Sequence, residues 1–401
     1  MKTIGIIAEY NPLHNGHIYH MEESRRLTGA DLCVVAMSGN FVQRGELACA
    51  DKYTRAEWAL QAGATLVLEI PAVHALAPAE QFAAGAVRAL ANTGLVTHLP
   101  FGCECDNLQL LQYLADISDN ESPQYKELLA KHLAQGKAYP RARTDAFAEM
   151  GLDRYYLSEL EKPNNILAIE YLRALKKYAP QIRPVPVLRR GSAHHDAALR
   201  GAISSGSAIR EALRCGDEAA LDSVPLFVGG ALRFNNAMVT AERTVEAMIL
   251  YKLRTMEKEE LAALPGAGEG IENVIFRAAR DCANLAAFYE TVKSKRYTMA
   301  RIKRMACCAL LGISADLTRD MALASNDYVK VLGIQSRARN LLSGMATACP
   351  VPVIARNSDL RKIDKHPASV HSFAADTLTT DLLGYAQGVK LHRDTEGIVI
   401  V

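Results

Sequence analysis

A chain of 401 residues exceeds one ordinary domain, and its 49% hydrophobic and 22% charged residues, with a mean hydropathy of −0.01, supply real cores and exclude a disordered or fibrous chain. No run approaches the roughly 18 to 20 apolar residues of a membrane span, and Met1-Lys2-Thr3-Ile4 runs on to the acidic Glu9 rather than to a cleavage site, so a soluble cytoplasmic protein without a signal peptide is expected. A net charge of +2 does not by itself point to nucleic acid.

The first hundred residues alternate aliphatic runs with helical patterns. Strands are expected over Thr3 to Ala8, Leu32 to Met37, Thr65 to Ile70 and Val96 to Phe101, with helices opening near Asn15, Asp51 and Glu80. This βαβ rhythm predicts an α/β class: a doubly wound, Rossmann-like parallel sheet with ligands beyond the strand C-terminal ends. From Asn107 to about Ala179 the pattern turns helical, a strand returns over Ile182 to Leu188, and a helix begins near Ser207. The expected units are therefore an α/β domain over 1–216 with a helical insertion at about 107–180, a helical domain over 217–345, and a small mixed segment over 346–401. In that last segment Pro350 to Ile354 and Gly397 to Val401 read as strands.

Nine cysteines, an odd number, lie mostly within apolar runs, which fits a reducing compartment. Cys103-Glu104-Cys105 has no second pair at zinc spacing, so it reads as buried small side chains, and no structural metal is expected.

The most specific pattern directly follows the first strand: Glu9-Tyr10-Asn11-Pro12-Leu13-His14-Asn15-Gly16-His17. A strand, a turn and His-x-Gly-His opening a helix place two imidazoles on one helical face. There the helix dipole and the free N–H groups of the first turn favour an anion. Such imidazoles suit donation to phosphoryl oxygens as charge shifts at phosphorus. Ser205-Gly206-Ser207-Ala208-Ile209-Arg210 offers a matching helix start, with hydroxyl donors at Ser205 and Ser207 and a cation at Arg210 for polyphosphate.

The loop after the second strand, with Ser38, Asn40, Gln43 and Arg44, is expected at the crevice and suits a small acid or a base edge. Asp51, Lys52 and Arg55 read as a solvated charged helix face. Between Lys293 and Arg304 six cations stand without a carboxylate. Lys293, Lys295 and Arg296 form a basic loop, followed by Arg301 and Arg304 on a helix, with Tyr297 placed to stack a base. Phosphates of an RNA would favour that surface, and Arg337 and Arg339 extend it.

Asn-Pro-x-His-x-Gly-His with a late Ser-x-Ser-x-Ile-Arg resembles the nucleotidyltransferase superfamily. Met37 to Glu46, Asp51-Lys52, Arg55, Gly63-Ala64, Glu69-Ile70-Pro71, Phe101-Gly102, Pro163 to Leu167 with Glu170-Tyr171, and Arg296-Tyr297-Thr298 with Arg301 narrow the likeness. Together they resemble the bacterial tRNA(Met) cytidine acetate ligase family, from residue 1 to beyond 300. The resemblance implies joining of acetate to ATP as acetyl-adenylate with release of pyrophosphate. Acetyl transfer to N4 of the wobble cytidine of elongator tRNA(Met) then follows. It implies an ATP segment over Ile7, Ala8, Glu9, Tyr10, Asn11, Pro12, Leu13, His14, Asn15, Gly16, His17, Ile18, Tyr19 and His20, with further contacts at Gly102, Asn165 and Arg190, and Mg²⁺ accompanying the nucleotide. Position 207 is Ser where the family more often has Thr, and position 206 is Gly where Ala or Ser is common; both keep the phosphate-binding turn. A small-molecule adenylyl- or cytidylyltransferase of the same superfamily and a non-catalytic RNA-binding relative are the alternatives. The sequence assigns no proton acceptor for the acetyl transfer.

Overall fold

The structure, a computed structural model, describes residues 1–189, 204–233, 236–389 and 391–401. Its centre is a strand, β1 (Thr3–Ala8), flanked in parallel by β2 (Leu32–Ser38) and, on the other side, by β6 (His98–Cys103). A short hairpin of β3 (Phe41–Val42) and β4 (Glu46–Leu47) follows β2. β5 (Leu66–Ile70) lies parallel to β2, and β7 (Arg183–Leu188) parallel to β6. The chain thus runs outward from β1 in both directions, and the crevice at the C-terminal ends of β1 and β6 is the topological switch point where α/β sheets bind ligands.

Strand residues alternate between two cores, one on each face. Val34, Ala36, Leu66 and Leu68 pack with Ala83, Ala86, Val87 and Leu90 of the helix Ala79–Asn92. Cys33, Val35, Met37 and Val67 pack on the opposite face with Met21 of the helix Asn15–Thr28 and Trp58 of the helix Lys52–Gln61. Burial on both faces explains why these strands read as continuous apolar runs. Gly5 permits the close approach of Ala79–Asn92, since a Cβ there would stand 3.0 Å from Leu90 Cδ1. Five helices, Leu108–Asp119, Pro123–Ala134, Tyr139–Glu149, Arg154–Glu161 and Pro163–Tyr178, lie between β6 and β7.

Two differences from the sequence reading concern the second half of the chain. β8 (Val329–Ile334) interrupts the stretch read as helical to about Ser343 and pairs antiparallel with β5. β9 (Val353–Ile354) and β10 (Val399–Ile400) pair with β8, so the tail extends the same sheet, in the order β10-β8-β5-β2-β1-β6-β7 with β9 also on β8. Between β9 and β10 runs a helix, Pro367–Gln387. The preceding helices, among them Asn236–Thr255, Ile271–Asp281 and Met299–Leu311, share a separate core with Phe41 and Val73, beside the hairpin.

Lys52 and Arg55 are fully buried, which corrects the expectation of a solvated face. Lys52 Nζ stands 2.9 Å from Glu69 Oε2 and 2.8 Å from Asp394 Oδ1, while Lys330 bridges the same two carboxylates. Each ion left unpaired at such a depth would cost several kcal/mol. Asp376, whose carboxyl burial and the nearby Glu69 push up to about 7, adjoins this group and accepts from Tyr328 Oη at 2.8 Å. Arg55 donates to the carbonyls of Glu9 (2.7 Å), Ser38 (3.1 Å), Gly39 and Ala50 (2.9 Å), pinning the strand ends that border the crevice.

Candidate active site

Immediately after β1 the backbone turns sharply. Tyr10 adopts φ +47°, a left-handed value unfavourable for a side chain of this size, and the Asn11–Pro12 peptide is cis. His14 then caps the helix Asn15–Thr28, and its backbone N–H donates to His17 Nδ1 at 3.2 Å. That bond makes Nδ1 the acceptor and leaves the His17 proton on Nε2. The two imidazoles stack with centroids 3.7 Å apart and planes 20° from parallel, and Tyr10 meets His17 edge-on at 5.0 Å. Burial, with Arg189 next, holds His14 down to about 3. Burial and then His14 hold His17 well below its ordinary range, and burial with Arg189 holds His20 to about 4. At neutral pH the three rings are uncharged, so what the His pair can offer a ligand is directed N–H donation rather than net charge.

The second motif closes onto the first. Ser205 caps the helix Gly206–Arg214 by accepting from Ala208 N at 3.1 Å. Arg210 Nη1 donates to Asn11 O at 2.7 Å, and Gly206 lets the segments touch, since a Cβ there would stand 3.0 Å from that same oxygen. Two helix N-termini therefore converge on one cavity of about 260 Å³. Phe82, Leu99, Phe101, Leu167, Tyr171 and Val187 form its apolar wall, while His14, His17, His20, Arg44, Arg189 and Arg210 supply donors and positive charge. A planar apolar group against the wall and an anion at the helix starts is what this combination accommodates.

The structure sorts the residues singled out from sequence. Ile7, Ala8, Glu9, Tyr10, Asn11, Gly16, Tyr19, Gly102, Gln43, Ser205 and Ser207 line the cavity with the groups just named. Leu13 and Ile18 instead belong to the core beneath, because the opposite face of the amphipathic helix start must be buried, and Asn15 donates to Asp222 O at 3.1 Å. Pro12 lies in the turn without lining the cavity. Asn165 is fully buried one step behind: it accepts from Glu104 N at 2.9 Å and donates to Glu159 Oε2 at 2.7 Å, while its neighbour Asn164 lines the cavity. Arg190 lies outside the described residues.

Ser38 and Asn40 do not face the crevice either. Asn40 is fully buried, accepting from Lys52 N at 2.7 Å and donating to Thr380 Oγ1 at 3.2 Å, so its amide is consumed in fixing the hairpin against the helix Pro367–Gln387. Ser38 is likewise enclosed, its carbonyl held by Arg55. Of the loop, Gln43 and Arg44 reach the cavity. Sequence reasoning missed Arg189, the aromatic wall and Glu46. Glu46 receives Lys303 Nζ at 2.7 Å and Arg210 Nη2 at 3.5 Å, and so ties the cavity to the basic helix. Among the described residues no group of three or more His, Cys, Asp and Glu side chains is placed to hold a metal ion.

The basic segment divides in two. Lys293, Lys295 and Arg296 are exposed, and Arg296 Nη2 lies 3.8 Å from where a side chain on Gly136 of the helical insertion would begin. Arg301, by contrast, is neutralised by Glu269 at 2.8 Å, and Arg304 Nη1 donates to Gln43 O at 3.4 Å beneath the hairpin. Tyr297 is buried, its hydroxyl donating to Glu269 O at 2.6 Å, which removes it as a stacking platform. The acids absent from the local sequence are thus supplied from other elements. Arg337 and Arg339 are exposed in and beside the short turn of helix that follows β8.

The profile of the HIGH Nucleotidyl Transferase family matches residues 1–395. The chain is similar to the tRNA(Met) cytidine acetate ligase of Kosmotoga olearia, 36% identical over 90% of this chain and 87% of that protein, and to that of Caldanaerobacter subterraneus, 37% identical over 95% and 94%. Its structure superposes on Thermotoga maritima TmcAL in the apo form with a TM-score of 0.92, and on the same protein bound with alpha-thio ATP with a TM-score of 0.90, at 30% identity and over the full length of both chains. From the motif geometry and these likenesses together, the chain belongs to the HIGH nucleotidyl transferase family and groups within it with the tRNA(Met) cytidine acetate ligases.

Proposed function

We propose that this protein activates acetate with ATP as acetyl-adenylate and transfers the acetyl group to N4 of the wobble cytidine of elongator tRNA(Met). The observation that carries the reading is the convergence of two helix N-termini, the stacked His14/His17 pair and Arg210 on one cavity at the switch point, beside an apolar wall suited to a purine. Acetate is a poor acyl donor because oxide leaves badly; adenylation gives it AMP as leaving group. The Nε2–H of His17 and the positive ends of both helix dipoles serve the place where phosphoryl charge shifts. An ATP-analogue complex of the similar Thermotoga maritima TmcAL supports the nucleotide assignment. The donor set suits Mg²⁺ arriving on the triphosphate: arginines rather than a carboxylate pair face the cavity, and such an ion is then held mainly by phosphate oxygens and water.

In this reading adenylate chemistry lies in residues 1–216 and tRNA docking in 217–345. The exposed Lys293, Lys295 and Arg296 meet phosphates, while Arg301 and Arg304 build the surface they stand on. A tRNA substrate fits a cytoplasmic enzyme, and no described helix is long and apolar enough to cross a membrane. The decisive experiment is mass spectrometry of nucleosides from elongator tRNA(Met) incubated with the protein, ATP and acetate. Acetylated cytidine that depends on both small molecules is expected, and its absence with active tRNA overturns the reading.

A further inference from the structure

The acetyl-transfer step needs a group to take the proton of the attacking amine, and the cavity narrows the choice. Among the described residues lining it, Glu9 is the sole carboxylate and no lysine is present. The histidines are poor acceptors: His17 Nδ1 is occupied by the His14 N–H, and burial weakens the basicity of His14 and His20. Glu9 sits at the end of β1 with its backbone carbonyl fixed by Arg55 at 2.7 Å. Its Oε1 accepts from Gln43 N at 2.8 Å, and among the described residues no hydrogen bond engages Oε2. Gln43 in turn accepts from Arg304 through its carbonyl, so Glu9 stands on the side of the cavity that the hairpin joins to the basic helix.

We propose that Glu9 is the proton acceptor of the acetyl-transfer step, a role that rests on the acetate-ligase reading above. The N4 lone pair attacks the acetyl carbon and a C–N bond forms. The N4 proton passes to Glu9 Oε2, the bond from the acyl carbon to the phosphate oxygen breaks, and AMP departs with that electron pair. Glu9 then returns its proton to solvent. The surroundings favour the task. Burial pushes the Glu9 carboxyl up from its ordinary value, against the Gln43 N–H and the charges of Arg210, Arg44 and Arg55, while Tyr171 and the uncharged His14 and His17 complete the enclosure. A carboxylate moved toward neutrality is a stronger base at working pH, and positioned bases of this kind contribute about 10²- to 10⁴-fold.

The test separates the two chemical steps in Glu9→Gln, whose amide oxygen can still accept from Gln43 N. Single-turnover transfer from preformed acetyl-adenylate to tRNA(Met) is followed as the pH is lowered stepwise from neutral, alongside acetate-dependent pyrophosphate exchange. Transfer by the wild-type protein falls toward acid pH. Glu9→Gln loses about 10²- to 10⁴-fold in transfer together with that acid limb, a larger loss than in exchange, which Glu9 also touches by lining the cavity, and Glu9→Asp restores part of the rate and the limb. Transfer within about threefold of wild type in a Gln variant that melts normally overturns the role, as does an equal loss in both steps. Wild-type protein that forms no acetylcytidine overturns the ligase reading itself, and that result is visible before any variant is made.

Discussion

Arg210 offers the sharpest test of how the two motifs cooperate. Its guanidinium donates to the Asn11 carbonyl at 2.7 Å, in the turn that sets the His14/His17 stack, and also lines the cavity. Charge on the ATP phosphates alone would predict a higher KM with kcat little changed. The bond to Asn11 adds a second consequence, because removing Arg210 releases the turn as well as the charge. A hydrogen bond from a charged donor contributes about 1.5–3 kcal/mol, so Arg210→Ala is expected to lower kcat for acetate-dependent pyrophosphate exchange by roughly 10- to 150-fold in addition to raising KM for ATP. Glu46 keeps Lys303 as its partner in the variant, which limits the loss of stability. Arg210→Lys retains the cation without the two-pronged geometry and should recover KM better than kcat. A folded Arg210→Ala protein that loses ATP affinity while keeping wild-type kcat would refute the coupling and leave charge alone as the explanation.

Four further outcomes are expected. His17→Ala removes a positioned donor worth about 3–4 kcal/mol, so pyrophosphate exchange should fall by roughly 10²- to 10³-fold while the melting temperature and tRNA affinity stay near wild type; near-normal exchange would sink the assignment. Replacing Lys293, Lys295 and Arg296 with Ala should weaken tRNA binding and flatten its salt slope by about 0.7 to 0.9 for each phosphate no longer neutralised, with exchange retained, whereas an unaltered slope returns the segment to ordinary solvated surface. Lys52→Met should cost about 3–5 kcal/mol in urea unfolding, because Glu69 and Asp394 then share Lys330 alone; adding Glu69→Gln should recover part of it, and an unchanged midpoint would contradict the burial described. Finally, burial holds His74 at about 3 in the folded protein against an ordinary 6.5, so the unfolded chain binds the extra proton between those values and stability falls as pH drops through that window. Two pH units below 6.5 correspond to roughly 3 kcal/mol from this residue. The drop in urea midpoint from neutral to about pH 4.5 should therefore be smaller in His74→Gln, and an equal drop in both proteins would show that His74 is not the group responsible.

The parts legible in sequence are those whose cause is local. β1, β2, β5 and β6 declare themselves because both faces are buried and the strands are mainly apolar, and the histidine motif declares itself because strand, turn and helix start are contiguous. What escaped depends on partners far along the chain. Asn40 and Lys52 look like surface polar residues until Thr380 and Asp394 are brought to them. β8 carries Lys330 in a strand that is otherwise apolar, a charge that makes sense only against Glu69 and Asp394. Arg301 and Arg304 read as unbalanced because Glu269 and the Gln43 carbonyl come from a distant loop and from the hairpin. Asn165 was one residue from the cavity that Asn164 lines, an offset that helix periodicity can place on a face but not assign to a neighbour.

The buried group of Lys52, Glu69, Lys330 and Asp394 also bears on the order in which the protein is made. When the nascent chain has emerged through β5, Lys52 and Glu69 can neutralise one another and the early sheet can close around them. Adding β8 then inserts a second ammonium, Lys330, into that enclosed space before the carboxylate that balances it has been translated. Until Asp376 and Asp394 arrive, the sheet edge at β8 carries an excess positive charge that favours release to water. A polypeptide cut short between Ile334 and Asp376 therefore holds a complete histidine motif on a sheet that resists closing. The interior electrostatics make synthesis through Asp394 a condition of a settled active site.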